Sequence, residues 1–174
     1  MSFKKRKYRR TVSNLEVEQF LKVAHNVWFC HWRDYTSLEK NLKRAKAEAN
    51  ILRDCYNSIF TEEIIWALYS TLWFRYDAHC IKCRRAAGFN DEELPMRLLP
   101  TNDDVRNIFN EVYNKWFTKY RDADLKTAEE WDQVLAEGKA IHKKYPFTLT
   151  EDLVTALYAE LDRRNREKGE NNGQ

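Results

Sequence analysis

Apolar residues recur along this chain at intervals of three and four, and hardly anywhere in strict alternation. Val17, Phe20, Leu21, Ala24, Val27, Trp28 and His31 form one such stripe and predict an amphipathic helix over 14–32. Ser13-Asn14-Leu15-Glu16 ahead of it reads as a capping box, in which hydroxyl and carboxylate satisfy amides that the first helical turn leaves open. Thr36-Ser37-Leu38-Glu39 reads as a second box. Behind it Leu38, Leu42, Ala45, Ala49, Leu52, Tyr56 and Ile59 alternate spacings of four and three, the a/d seam of a coiled coil. One reading packs that seam inside its own domain. The other uses it for self-association.

Thr61-Glu62-Glu63 predicts the start of a third helix, about 62–87, closed by Gly88. Pro95 and Pro100 bracket an irregular segment. A fourth helix follows Thr101, with Val105, Ile108, Phe109, Val112, Tyr113, Trp116 and Tyr120 on one side. Thr127-Ala128-Glu129-Glu130 opens a fifth, running to about Tyr145, and Thr150 is read as the cap of a sixth that carries Leu153, Val154, Leu157, Tyr158 and Leu161. The fold class that follows is all-α: about six amphipathic helices in a compact bundle, open to a division into two three-helix halves near 88–100. Residues 1–12 read as a flexible arm, 13–164 as one helical domain and 165–174 as a disordered polar tail. No internal repeat is read.

Charge changes the picture at one end. Lys4, Lys5, Arg6, Lys7, Arg9 and Arg10 crowd the first ten residues without an acid among them, whereas the whole chain has 30 Lys and Arg against 27 Asp and Glu. Residues 11–174 therefore carry a net −3. A basic arm on a mildly acidic body points to one anionic contact beside a surface free for something else. The third helix adds Arg75, Lys82 and Arg85 on one side, with His79 beside them, and the second adds Lys40, Lys43, Arg44, Lys46 and Arg53 among a few acids. Side chains of this kind neutralise backbone phosphates and give salt-sensitive, largely sequence-independent affinity. Phe3 and Tyr8 add aromatic faces for stacking.

Catalytic chemistry finds little footing. Four acid pairs, Glu62-Glu63, Asp103-Asp104, Glu129-Glu130 and Glu151-Asp152, each follow a threonine at a predicted helix start, where acids stabilise the helix dipole. Cys80 and Cys83 have CxxC spacing beside His79, with Cys30-His31 in another helix. No second ligand pair completes a zinc framework, and both cysteines fall on the predicted apolar face as core residues. Arg75 and His79 come near the Arg…His spacing of HEPN-type ribonucleases but stand one residue too close. Glycine-rich phosphate loops, GxSxG and HExxH are absent.

The expected function is thus a non-enzymatic binding protein for nucleic acid or a nucleoprotein complex, without cofactor or metal, acting as monomer or homodimer in the cytoplasm and off the membrane. An accessory factor of a phage or mobile element, regulating or inhibiting a nucleic-acid-guided nuclease, is the form such a chain suits. The alternatives are a helical adaptor or oligomeric scaffold using the seam at 38–59, and, more remotely, a zinc-dependent or RNase-type enzyme around His79.

Overall fold

The structure, a computed structural model, describes residues 12–89 and 98–171, the last three of these by backbone alone. Among the described residues, six helices account for 82% and there is no strand. Helix α1 covers 14–32, α2 Glu39–Tyr56, α3 Ile59–Ala86, α4 102–120, α5 Ala128–Lys144 and α6 Thr148–Asn171. The stripes named above supply the core: Phe20, Phe29, Phe60, Ile64, Leu68, Leu72, Ile108, Phe117, Leu153 and Leu157 are all buried.

The second half repeats the first. Asn14, Val17, Asn26, Trp28, Phe29, Arg33 and Asp34 recur, in the same order and spacing, as Asn102, Val105, Asn114, Trp116, Phe117, Arg121 and Asp122. One extra residue precedes α5. Beyond it Leu42, Ala49, Leu52 and Tyr56 correspond to Trp131, Gly138, Ile141 and Tyr145, and the run from Thr61 to Tyr69, TEEIIWALY, corresponds to TEDLVTALY from Thr150 to Tyr158. The local geometry repeats as well. Ser13 with Glu16, and Thr101 with Asp104, make reciprocal capping boxes. Both first helices then widen into π-helical turns, over Lys22–Phe29 and Asn110–Phe117. There the amide of Cys30 donates to His25 O and that of Thr118 to Tyr113 O, five residues back. Each widened stretch buries its Trp-Phe pair. The chain is two three-helix repeats, not a bundle without internal repetition.

The repeats exchange the same contacts. Arg75 of α3 donates to Asn102 Oδ1 and to Pro100 O, both at 2.7 Å, and lies over the Phe29 ring. Arg164 of α6 donates to Asn14 Oδ1 and, at 2.8 Å, to Val12 O, and lies over the Phe117 ring. Asn14 Nδ2 donates to Asp122 Oδ1, as Asn102 Nδ2 does to Asp34 Oδ1. Each third helix therefore clamps the start of the other repeat's first helix, and α3 and α6 pack against one another between the two clamps. Such reciprocity is what a two-fold arrangement of like units produces.

Several sequence expectations change. Val12 belongs to the body rather than to the arm: it is buried and its carbonyl anchors Arg164. Leu38, with no capping side chain, precedes α2, so the box expected at Thr36–Glu39 does not form. Helix α3 starts earlier than expected, at Ile59, with Ser58 as cap. Thr150 lies inside α6 and is buried. The tail is helical to Asn171: Asn165 Nδ2 and Lys168 Nζ donate to the carbonyls of Leu125 and Ala123, and Arg166 pairs with Asp162. The seam at 38–59 is used internally. Leu42, Ala45 and Ala49 are buried in the protein's own core with Leu52 and Tyr56 packed against it, while Leu38 and Ile59 at the ends of the seam are exposed.

Candidate nucleic-acid interface

The sites expected from the sequence divide into three groups. Lys4, Lys5, Arg6, Lys7, Arg9 and Arg10 lie outside the described residues. Arg75 sits half-buried in the clamp just described, its guanidinium occupied by Asn102 and Pro100 and its pKa lowered chiefly by burial. It is a structural residue. The remaining cations are at the surface. Lys43 is exposed and bridges Glu39 at 2.9 Å, Arg44 is exposed with its guanidinium over the Trp32 ring, and Lys82 and Arg85 are exposed on the last turns of α3.

Helices α2 and α3 carry these exposed cations on one hairpin, Lys43 and Arg44 near its middle and Lys82 and Arg85 toward its open end. The two helices form an antiparallel hairpin joined at Asn57, which takes the left-handed conformation (φ 46°) that an asparagine tolerates at a helix end. The start of α2 therefore runs beside the middle of α3. Glu39 acts electrostatically on Tyr76, whose phenol is pushed up to about 12, first by its hydrogen bond with Cys80 and then by burial. Beyond Leu72, α3 leaves the core: Trp73, Asp77, His79 and residues 82–86 are exposed, and Ile81 alone among residues 73–86 is buried.

Comparing the repeats separates what the fold requires from what it does not. Where the first hairpin has Lys40 and Lys43, the second has Glu129 and Asp132, and where it has Trp73 and Tyr76, the second has Asp162 and Asn165. Buried apolar positions such as Phe29 and Phe117, or Leu68 and Leu157, keep their character while these outer positions change sign and type. A second divergence lies between α1 and α2. Val23, Val27, Trp28, His31, Ile51 and Leu52 line an apolar hollow of about 380 Å³, with Val27 and Ile51 more than half exposed. The equivalent surface of the second repeat carries Glu111, Lys115 and Lys119, joined in ion pairs Lys115–Glu111 and Lys119–Glu137 of 2.6 Å each.

Other groups have less to offer chemically. Cys80 is half-buried and Cys83 exposed, 3.5 Å from His79 Nε2, so neither is the core cysteine expected from the apolar face. The core-facing side of α3 has turned away before reaching them. Among the described residues no three His, Cys, Asp or Glu side chains group to hold a metal. Of the acid pairs, Asp104 and Glu130 bond the caps of their helices. Glu63 and Asp152 instead face one crevice at equivalent positions between α3 and α6, with both carboxyl pKa values raised by burial. Where the first helices of the two repeats meet, a larger groove of about 680 Å³ is lined by Lys22, His25, Asn26, Arg106, Tyr113 and Arg121 among others. His25 stacks there on Phe109 and its pKa is lowered, mainly by burial. No described helix is long and apolar enough to cross a membrane. Comparison with protein-family models, curated proteins and solved structures finds no match to this chain.

Proposed function

We propose that the chain is a non-enzymatic binding protein that engages nucleic acid, free or within a nucleoprotein complex, through the basic hairpin of its first repeat together with the N-terminal arm. One observation carries this reading. At equivalent surface positions of two repeats with the same fold, the first has Lys40 and Lys43 where the second has Glu129 and Asp132, so the positive charge is not a demand of folding. Lys82 and Arg85 on the exposed end of α3 extend the same sign, and the six cations of the arm add to it. An anionic partner would meet one half of the molecule and be repelled by the other, which orients the complex. The four unpaired thiols suit a reducing compartment such as the cytoplasm.

The test is binding of labelled single- and double-stranded DNA and RNA by fluorescence anisotropy at two salt concentrations. The full chain, a deletion of residues 1–10 and the double variant Lys40→Glu/Lys43→Asp are compared. Each phosphate contact removed lowers the slope of log K against log salt by about 0.9 for duplex and about 0.7 for single strands. Both altered proteins are expected to show flatter slopes. Absence of binding by the full chain at low salt would end the reading. A second reading, a protein adaptor, is favoured by the hollow at Val23, Val27 and Ile51, an exposed apolar surface where the other repeat is ion-paired.

A further inference from the structure

Trp73 is the largest side chain that the fold leaves uncovered for no packing reason. It is 45% exposed on α3, its ring centroid lies 5.9 Å from that of Tyr76 with the planes tilted by 50°, and the second repeat has Asp162 and Asn165 at these positions. In that repeat the two side chains do ordinary surface work, Asp162 pairing with Arg166 and Asn165 donating to Leu125 O. The fold therefore accepts a small polar residue where Trp73 stands. The aromatic pair also lies on the side of α3 that runs along the start of α2. Tyr76 feels the charge of Glu39, and Glu39 holds Lys43 at 2.9 Å, on the helix that also carries Lys40. An accessible indole on a hairpin that carries lysines suits an unpaired nucleotide, which presents a π-face and a phosphate, and suits a base-paired duplex poorly, because its base faces are already stacked.

Resting on the nucleic-acid reading above, we propose that Trp73, flanked by Tyr76, is a stacking platform for one unpaired base, with Lys40 and Lys43 holding the adjoining phosphates. The protein's ligand is then single-stranded nucleic acid, or an exposed single-stranded stretch of a nucleoprotein, in preference to duplex. The stacking supplies affinity without base identity, since every base has a π-face.

The experiment titrates the full chain, Trp73→Asp and Trp73→Phe with a labelled oligo-dT strand, an oligo-U strand and a blunt DNA duplex. Circular dichroism checks that each variant is folded. The expected result is single-strand preference in the unaltered chain, a loss of roughly 10- to 100-fold for single strands in Trp73→Asp, little change for the duplex, and retention of most single-strand affinity in Trp73→Phe. If the unaltered chain binds strands and duplex alike and both variants match it, the platform is wrong while nucleic-acid binding stands. If the unaltered chain binds none of the three probes, the platform falls together with the function on which it rests. Should Trp73→Asp disturb folding, Trp73→Leu, which keeps an apolar side chain without an aromatic face, is titrated in its place; it should lose single-strand affinity while Trp73→Phe keeps it, and equal affinity in the two would overturn the platform.

Discussion

Arg164 offers a quantitative test of the exchanged clamp. Its guanidinium donates to Asn14 Oδ1, to Val12 O and, at 2.9 Å, to Glu160 Oε1, and Glu160 is wholly buried. The first repeat shows the same clamp without the acid: Arg75 holds Asn102 and Pro100, while the position equivalent to Glu160 is Thr71, whose hydroxyl donates to Ala67 O. Arg164→Ala removes the clamp and leaves a buried carboxylate with Arg163 as its remaining partner. Breaking a buried pair in this way costs about 3–5 kcal/mol. Glu160→Thr copies the first repeat and should cost about 1 kcal/mol or less, since Arg164 keeps the two contacts that suffice for Arg75. The double variant Glu160→Thr/Arg164→Ala loses the clamp but has no stranded charge, so it should be about 1–2 kcal/mol more stable than Arg164→Ala alone.

Equilibrium urea unfolding of the four proteins at pH 7 reads these differences directly, provided the denaturant slopes agree. A pH series adds an independent check. Burial raises the Glu160 carboxyl above its ordinary 4.5, and the hydrogen bond from Arg164 opposes that rise. Protons therefore favour the folded state as pH falls toward the raised value, and stability drops as pH climbs through it. Without Arg164 the rise is larger, so the deficit of Arg164→Ala should shrink between pH 7 and pH 5. The reasoning is refuted if Arg164→Ala costs under about 1 kcal/mol, or if its cost is the same with Glu160 and with Thr at that position.

Two further outcomes follow from the repeats. Burial lowers the His25 pKa from its ordinary 6.5, so the folded state resists protonation; the stability tied to this group is complete above 6.5 and is lost as pH falls below it. His25→Tyr installs the residue of the second repeat, where Tyr113 stacks on Phe117 as His25 does on Phe29, and it should flatten the fall in melting temperature between pH 7.5 and pH 5. Val23→Glu/Val27→Lys transplants the Glu111–Lys115 pair onto the apolar hollow. It should change stability by no more than about 0.5 kcal/mol, and pull-down of a protein held by that hollow should be lost. A large destabilisation would mean that the hollow belongs to the core.

The helices were legible because their signals are local. The three- and four-residue spacing of apolar positions and the boxes at Ser13 and Thr127 act within one or two turns and are realised, whereas the box read at Thr36 is not. The second helix's seam was read correctly as a stripe, but its partner was open, since periodicity states that a face will be buried and not against what. The repeat was present in the order of residues all along. It stayed hidden because a hydrophobic pattern records class and not identity: Phe20 against Ile108, or Ala45 against Val134, look alike in any helix.

Tertiary structure alone decided what the polar residues do. Arg75 reads as surface charge beside Lys82, yet packing brings it to Asn102, a residue distant in sequence, and makes it a clamp. Cys80 and Cys83 continue an apolar face on paper, but α3 has left the core by the time it reaches them. Trp73 counts as one more hydrophobic position in the pattern, and only the body's outline shows that nearly half of it stays exposed. Local sequence sets which face of each helix avoids water, through backbone geometry and side-chain transfer from solvent. How far each helix extends past the core, and which distant groups lie within hydrogen-bonding reach, depends on how six such faces are satisfied together.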